Sequence, residues 1–313
     1  MSGKLSLAGI WGLTWAEGSP FINSGYYATP RFECSKLLEA EVPAPVHKVL
    51  ERHGLLEDAN FGLNSLRARW VEEMFWIYRR TFEAPAEAVN QPVSLCFGRL
   101  EFEADVWLNG ELVGHHENAH RPAEFDVSGK VQAGENLIVV RVSPGMHSVA
   151  DKSALEYGTD DISRLTKRHW HRHPQYQHGW DWNARLVNVG ILGDVVLEWG
   201  AAPRLREVSV FAVPSDDYSK ATFHACASLM NSDAEARKVI MKARLVETGQ
   251  EVSLNVEAAP GESRHELKLE LSAAKLWWPI RHGDQALYTV EVSAEAAGEV
   301  QQVTRRTDRK SVV

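Results

Sequence analysis

The sequence of 313 residues predicts an all-β protein made of two successive β-sandwiches. Most of the chain consists of short runs of aromatic and β-branched residues bounded by turn-forming residues, a pattern typical of strands. Helices do not alternate with strands, so a parallel α/β architecture is not expected. A break at residues 200–203 (Gly-Ala-Ala-Pro) separates two regions of domain size. We therefore expect one domain over residues 1–200 and a second over residues 201–306.

The first region contains strand candidates at short intervals. Asn109-Gly110 separates the segments 105–108 and 111–115, and this pair is a strong hairpin signal because both turn positions need positive φ. One helix is predicted over residues 45–53 from its i, i+3, i+4 apolar spacing. The other strand candidates are residues 75–82, 93–100, 136–142 and 187–199.

The second region has a different texture, with longer strand candidates separated by polar turns. About seven strands in roughly 100 residues are typical of an immunoglobulin-like sandwich. The disulfide of antibody domains is not expected, because Cys226 is the only cysteine of this region. The strand candidates are residues 206–213, 221–230, 238–247, 251–257, 265–271 and 286–296.

Composition excludes several classes of partner. The formal net charge is −8 and no basic run is longer than the two residues of Arg305-Arg306, so we expect no nucleic-acid partner, since phosphate binding needs a clustered positive surface. No stretch approaches the ~20 apolar residues that a membrane helix requires, and no membrane partner is expected. The sequence has no phosphate-binding glycine loop and no CxxC pair, so no cofactor is predicted.

The cellular compartment is predicted from three features. The N-terminus lacks the long apolar stretch and the cleavage site of a signal peptide. The sequence has no Asn-x-Ser/Thr sequon, and its three cysteines are few and odd in number. These features predict a cytoplasmic protein whose cysteines are buried free thiols.

A long, weakly patterned segment between two strand candidates, residues 144–186, is the first candidate for function, because loops of this length in compact domains are usually functional or disordered. It is too aromatic to be disordered. Trp180-Asp181-Trp182 places an acidic hydrogen-bond acceptor between two rings that could stack on a sugar. The alternative is a loop held together by its own aromatic side chains, and composition alone does not separate the two.

Two other kinds of site were weighed. His171, His173 and His178 could ligate a metal, but no Cys, Asp or Glu completes a recognisable ligand set, so no metal is predicted. The adjacent carboxylates of Glu72-Glu73 and of Asp160-Asp161 do not face each other on a strand or a helix. We expect both pairs to be solvated or turn charges, and we predict no catalytic residue in this chain.

Several motifs resemble the front end of family-two glycoside hydrolases. The strings WLNGELVG (107–114), FDV (125–127) and NLIVVRV (136–142) are similar to its sugar-binding, galactose-binding-like jelly roll. The strings LWWP (276–279) and GDQALY (283–288) resemble the end of its immunoglobulin-like domain. The resemblance covers nearly the whole chain. It implies a jelly-roll sandwich followed by an immunoglobulin-like sandwich.

Other strings narrow the resemblance to the β-mannosidase branch. They are VPAPVH (42–47), FGLN (61–64), WVEE (70–73), WIYRRTF (76–82), and RHPQY (172–176) followed by GWDW (179–182). In that branch the last loop reaches the active-site pocket of a barrel domain. The resemblance implies that Trp180 walls the subsite for a terminal mannose and that Asp181 accepts hydrogen bonds from its hydroxyls. This chain departs from the branch at Asn183-Ala184, where Gly-Pro is usual, and at His173, where Lys is usual.

The resemblance also implies what this chain lacks. Residues 307–313 are expected to be the truncated entry to a missing (β/α)8 barrel, which would carry both catalytic glutamates. The expected function is that of the non-catalytic N-terminal region of a retaining exo-β-mannosidase, inactive alone and able to self-associate through its exposed barrel-facing surface. Two alternatives remain open. One is a stand-alone carbohydrate-binding or interaction module, and the other is a family-two hydrolase for another sugar, such as a β-glucosaminidase or galactosidase.

Overall fold

The computed structural model confirms the all-β prediction. The chain divides into two compact units, Met1–Gly200 and Ala201–Val313, which are described separately. Twenty strands and three short α-helices lie in the part of the chain that the structure describes. That part consists of residues 2–18, 20–34, 36–153, 167–181, 183–200 and 203–308.

The first unit contains an antiparallel six-stranded sheet with the order β3-β2-β5-β11-β8-β9. The predicted hairpin is confirmed, since Asn109 and Gly110 join β8 to β9 with φ values of 54° and 88°. The strands are β2 (Gly9–Ala16), β3 (Leu38–Val42), β5 (Phe75–Ala84), β8 (Glu103–Leu108), β9 (Glu111–Glu117) and β11 (Gly134–Ser143).

A four-stranded sheet with the order β1-β13-β6-β10 completes the sandwich. Side chains alternate across each strand, so that Trp76 and Tyr78 of β5 enter the core while Ile77 points to the opposite face. The core cluster contains side chains from both sheets, including Leu95 and Leu197 of the smaller one. The strands of this sheet are β1 (Gly3–Ser6), β6 (Val93–Phe97), β10 (Ala123–Asp126) and β13 (Val195–Trp199).

Five of the eleven tryptophans pack in or against the core of this unit. The rings of Trp15, Trp70 and Trp76 contact one another, with centroids 5.4 to 5.8 Å apart. Trp11 is fully buried and meets Tyr78 edge-on at 6.5 Å. Large aromatic rings of this kind contribute much of the apolar area that a sandwich buries.

The outer face of the six-stranded sheet is also covered. Helix α1 (Pro20–Ser24) and a 3₁₀ turn at Tyr26–Ala28 lie over it, and their side chains Ile22 and Tyr27 form a second cluster with Ile77 and Val139. This sheet is therefore buried on both faces where residues 20–34 cross it.

A small three-stranded sheet, β4-β12-β7, supports the long loop. Its strands are β4 (Ala44–Pro45), β7 (Leu100–Glu101) and β12 (Gly190–Ile191). The predicted helix at residues 45–53 is confirmed as α2 (Val46–Arg52), while α3 (Asn64–Arg67) was not predicted.

Some strand predictions are wrong in extent. The segments predicted as single strands at residues 93–100 and 187–199 are each divided into two strands, because Gly98 and Gly193 lie at turns where the two segments approach each other. Strands β1, β2, β3, β4 and β10 were not predicted at all.

The second unit is a sandwich of seven antiparallel strands in sheets of three (β14-β15-β18) and four (β17-β16-β19-β20). Its core packs Phe223, Met241 and Val292 between the sheets. This arrangement is that of an immunoglobulin-like sandwich. The strands are β14 (Arg204–Pro214), β15 (Lys220–Asn231), β16 (Arg237–Leu245), β17 (Gln250–Ala258), β18 (Gly261–Ser272), β19 (Leu287–Ala296) and β20 (Glu299–Asp308).

The end of the second unit lies further along the chain than expected. Strand β20 was not predicted, and it includes Thr307 and Asp308, which pair with Tyr288 and Leu287 of β19. These two residues therefore belong to the sandwich. The rest of the segment expected to enter a barrel, residues 309–313, lies outside the described residues.

The three cysteines differ from expectation in one respect. Cys34, Cys96 and Cys226 are all free thiols, but each is half-buried and not fully buried. Among the described residues, no helix is long and apolar enough to cross a membrane.

Candidate functional site

The long loop joins β11 to β12 and carries an exposed tip on a base in which His171, His173, Gln177 and His178 are buried. The structure describes it except for residues 154–166 and Trp182. Two 3₁₀ turns, Arg168–Trp170 and Gln175–His178, shape the base. His178 at the end of the second turn is fully buried, whereas Trp180, two residues later, is 56% exposed and Asp181 is exposed.

The tip is a tight turn closed by Asn183. Gly179 and Asp181 both have positive φ, 105° and 39°; glycine adopts such values readily, and Asp tolerates the left-handed region better than most residues. The Asn183 amide N–H donates to the Trp180 carbonyl at 2.5 Å, and the Asn183 side-chain amide donates to the Tyr176 carbonyl at 3.2 Å. Asn183, where the resembled branch usually has Gly, therefore adds a side-chain hydrogen bond to the backbone bond that any residue could donate here.

Arg168 contacts the tip from the base of the loop. Its guanidinium donates to the carbonyl oxygen of Gly179 at 2.7 Å and, more weakly, to that of Gln175 at 3.4 Å. Its guanidinium carbon also lies over the Trp180 ring, 6.0 Å from the centroid. Trp180 is thus in contact with a cation on one face.

Gln177 joins the two legs of the loop, which are the ascending leg before the tip (residues 167–178) and the descending leg after it (residues 183–189). Its carbonyl oxygen accepts from the N–H of Leu186 at 3.0 Å and its side-chain oxygen from the N–H of Asn188 at 2.8 Å. Its side-chain amide donates to Glu101 of β7 at 3.3 Å. One buried side chain therefore ties the ascending leg, the descending leg and the small sheet together.

Glu101 is a fully buried carboxylate beneath the loop. Its neighbours are Gln177, the His173 Nε2 atom at 3.5 Å, and the guanidinium of Arg99, with which it forms an ion pair. Burial by itself raises the pKa of this carboxyl, but its contacts with His173, Arg99 and Gln177 outweigh burial and lower the pKa. Glu101 is therefore an ionised anchor under the tip.

The three histidines weighed as metal ligands do lie together. The ring centroid of His178 is 5.8 Å from that of His171 and 5.4 Å from that of His173, and all three rings are buried. Burial is the largest cause that lowers the pKa of His171 to about 4 and of His178 to about 3, and both rings are therefore neutral near pH 7. Among the described residues, no group of three His, Cys, Asp or Glu side chains could hold a metal ion.

The expectation of a solvated carboxylate is wrong for Glu72. It is buried, and the Nε of Arg185 on the descending leg donates to it at 2.8 Å. Burial raises the pKa of Glu72, and the opposing effect of Arg185 is smaller. Glu73 is exposed, as expected. Asp160-Asp161 lies outside the described residues.

The two residues predicted to bind substrate, Trp180 and Asp181, lie side by side on the exposed tip. An indole ring and a carboxylate in this position could stack on a sugar and accept hydrogen bonds from its hydroxyls. Sequence reasoning missed Glu101, Gln177 and Arg168, which support the tip. The unusual number of polar side chains within an aromatic loop was the available signal, and the contact of Gln177 with Glu101 joins residues that are 76 positions apart.

Comparisons with known proteins assign each sandwich. Residues 26–193 match the family model described as glycosyl hydrolase 2 galactose-binding domain-like, and residues 204–307 match the model described as glycosyl hydrolases family 2. Together these matches confirm a galactose-binding-like jelly roll followed by an immunoglobulin-like domain.

Relatives and solved structures agree with this assignment. β-Mannosidase B of Emericella nidulans is 30% identical over 289 residues, covering 90% of this chain and 33% of that protein. The crystal structure of β-D-mannosidase from Dictyoglomus thermophilum superposes with a TM-score of 0.79 at 26% identity, covering 98% of this chain and 36% of that one. The exo-chitosanase CsxA of Amycolatopsis orientalis, at 20% identity, has a TM-score of 0.68 over 98% of this chain and 34% of its own, and shares the fold.

The fold and the two family matches define a galactose-binding-like sandwich followed by an immunoglobulin-like sandwich, a combination found in glycoside hydrolases. The chain belongs to glycoside hydrolase family 2. It spans about a third of the length of its β-mannosidase relatives and corresponds to their N-terminal part.

Proposed function

We propose that this chain is the non-catalytic N-terminal region of a retaining exo-β-mannosidase. In this proposal the two sandwiches support a barrel domain, and the loop tip contributes one wall of the subsite for the terminal mannose. A retaining glycosidase needs two carboxyl groups ~5–5.5 Å apart, a nucleophile and an acid/base. By resemblance to the family, both catalytic glutamates belong to the barrel and not to this chain.

The observation that carries the proposal is the contrast between the tip and its base. Trp180 and Asp181 are exposed although the loop beneath them is buried and hydrogen-bonded at Gln177 and Glu101. Binding groups held on a rigid base lose little entropy when a ligand binds. The Asp181 carboxylate would accept hydrogen bonds from mannose hydroxyls, and the Trp180 ring would exclude water from one side of the sugar.

The chain alone is proposed to be inactive and to bind sugar weakly. A ligand pocket usually buries most of its ligand's surface, and a single tip of two residues provides one wall only. We further propose a reducing, cytoplasmic location, which the free state of all three cysteines supports.

The test uses the protein encoded by the complete reading frame, with an aryl β-mannoside as substrate. We expect Trp180→Ala and Asp181→Asn each to lower kcat/KM by at least about tenfold, since removing one good contact to the transition state costs ~1.4 kcal/mol or more. Trp170→Ala is the matched control, because Trp170 is a similarly exposed tryptophan (48%) of the same loop. Full activity of both tip variants would refute the role of the tip.

The same exposed tip is also compatible with a stand-alone carbohydrate-binding module. Calorimetry of chain 1–313 with mannose and manno-oligosaccharides separates the two functions: micromolar binding would favour the module, and millimolar or weaker binding would favour the glycosidase. Parallel assays of the complete protein with aryl β-glucosaminide and β-galactoside test the other alternative, a different sugar specificity, which higher activity on one of these substrates would favour.

A further inference from the structure

We infer that Arg168 is a positioning residue for Trp180, fixing which face of the indole ring the substrate meets. The inference rests on the proposed function of the tip. Arg168 lies outside the GWDW string and outside the loop residues to which the family resemblance assigns a role.

The contacts of Arg168 hold both the backbone and the ring of the tip. The hydrogen bond to the Gly179 carbonyl, 2.7 Å, fixes the peptide group immediately before Trp180. The guanidinium carbon lies over the Trp180 ring at 6.0 Å from its centroid, within the range of a favourable cation–π contact. Fixing the backbone at one side and the ring at the other leaves Trp180 little freedom to rotate.

Arg168 is itself held in place by the loop. Its carbonyl oxygen accepts a hydrogen bond from the Gln175 side-chain amide at 2.9 Å, and its guanidinium donates to the Gln175 carbonyl at 3.4 Å. Arg168 is half-buried. The residue therefore bridges the two 3₁₀ turns of the base and extends to the tip.

The contact with Arg168 makes the two faces of the Trp180 ring unequal. The face under the guanidinium is in contact with protein, and Trp180 as a residue is nevertheless 56% exposed. The remaining surface is what a pyranose ring can meet. Arg168 thus determines the orientation of the Trp180 ring, although Arg168 itself does not contact the sugar.

Arginine suits this role better than lysine. Its planar group can lie over a ring while its N–H groups donate in the plane to carbonyl oxygens. A lysine ammonium could keep the charge near the ring but could not maintain both contacts in a fixed geometry. A methionine would remove both contacts and keep a side chain of similar length.

The experiment is a double-mutant cycle in the complete protein, measured as kcat/KM on an aryl β-mannoside. The variants are Trp180→Ala, Arg168→Met, Arg168→Lys and the Arg168→Met/Trp180→Ala double variant. We expect Arg168→Met to lower kcat/KM by about tenfold and Arg168→Lys by about threefold, because a displaced contact residue loses part of its contribution to the transition state. In the Trp180→Ala background, Arg168→Met is expected to cost less than twofold.

The double variant separates positioning from general support of the loop. If Arg168 only kept the loop folded, its loss would also displace Asp181, and Arg168→Met would lower activity further in the Trp180→Ala background. Lys152→Met is the matched control, since Lys152 lies over the ring of Trp170 at 5.8 Å and its loss leaves Trp180 untouched. Where calorimetry shows that Arg168→Met does not fold, Arg168→Lys is used in both backgrounds.

Each result has a defined meaning. If Trp180→Ala leaves kcat/KM unchanged, the Trp180 ring does not contact the substrate and this inference is wrong; the proposed function of the tip is refuted as well only if Asp181→Asn is also fully active. If Trp180→Ala lowers kcat/KM but Arg168→Met does not, or if their effects multiply in the double variant, the inference on Arg168 is wrong and the tip keeps its proposed function.

Discussion

Mild acid should unfold the first unit, because three of its buried histidines must be neutral in the folded state. Burial is the largest cause that lowers the pKa of His47 to about 4, of His171 to about 4 and of His178 to about 3. Their pKa in the unfolded chain is near 6.5. Between these values the unfolded state binds protons that the folded state cannot bind, so the stability of the folded state falls as pH falls below 6.5.

The magnitude follows from the pH interval. Between pH 6.5 and pH 5, each histidine lowers the free energy of unfolding by about 2 kcal/mol, since one pH unit corresponds to ~1.36 kcal/mol for a fully linked group. The three histidines together lower the free energy of unfolding by about 6 kcal/mol, a large share of the ~5–15 kcal/mol that is typical of a folded protein. Glu72 acts in the opposite direction, because its raised pKa favours the folded state as pH falls through that pKa.

The assay is differential scanning calorimetry of the chain at pH 7, 6 and 5, which can resolve separate transitions for the two units. We expect one transition to move strongly to lower temperature with acid and the other to move less. His178→Phe identifies the sensitive transition, because neither ring nitrogen of His178 has a hydrogen-bond partner among the described residues and a phenyl ring cannot titrate. This variant should reduce the pH dependence by about one third, since it removes one of three equal contributions.

The result that would refute this reasoning is a free energy of unfolding that changes by less than about 1 kcal/mol between pH 7 and pH 5, far below the linkage expected for three groups. An unchanged pH dependence in His178→Phe would also contradict it, since His178 has the lowest of the three pKa values.

Two further predictions concern stability and association. Arg185→Met should destabilise the first unit by about 3–5 kcal/mol at pH 7, because Glu72 would remain as an unpaired buried charge; urea unfolding measures this, and Glu72→Gln/Arg185→Met should recover part of the loss. The chain is also expected to self-associate as its concentration rises, because Phe61 and Leu63 are 75% and 73% exposed within one short segment. Sedimentation velocity should show this association and its reduction in Leu63→Glu.

Either prediction can fail clearly. A cost below about 1 kcal/mol for Arg185→Met would mean that water or another group neutralises Glu72, since a buried pair broken on one side normally costs far more. A monomer at every concentration tested, or a Leu63→Glu variant that associates as strongly as the parent chain, would exclude this segment as the contact surface.

Local signals in the sequence were sufficient for features whose cause is local. The hairpin at Asn109-Gly110 was predicted because the turn itself demands these residues, and helix α2 because its apolar spacing is helical. Strand β1 was missed because four residues give too short a pattern. The run at residues 187–199 was read as one strand because its apolar residues continue across Gly193, whose close approach to Arg99 depends on the folded structure.

The candidate site also combines features that could be predicted from local sequence with features that depend on distant partners. Trp180 and Asp181 were predicted as binding residues from their residue types and from the resemblance carried by the GWDW string. The side chains that support the loop were not predicted, because their partners are far away in the sequence. Gln177 bonds to Glu101 across 76 positions and Arg185 bonds to Glu72 across 113 positions. A charged residue such as Glu72 is usually at the surface, so that its burial became visible only when its partner was known.

The pairing of β1 with β13 has a consequence for how the first unit could be rearranged. These are the first and last strands of the unit, and Gly200 lies so close to Ser2 that an added Cβ would be 2.6 Å from the serine Cβ. The chain therefore enters and leaves this sandwich at a single place. A circular permutant that links Gly200 to Ser2 and opens the Asn109-Gly110 turn would retain every strand, and the same geometry would allow the whole sandwich to be inserted into a surface loop of another protein.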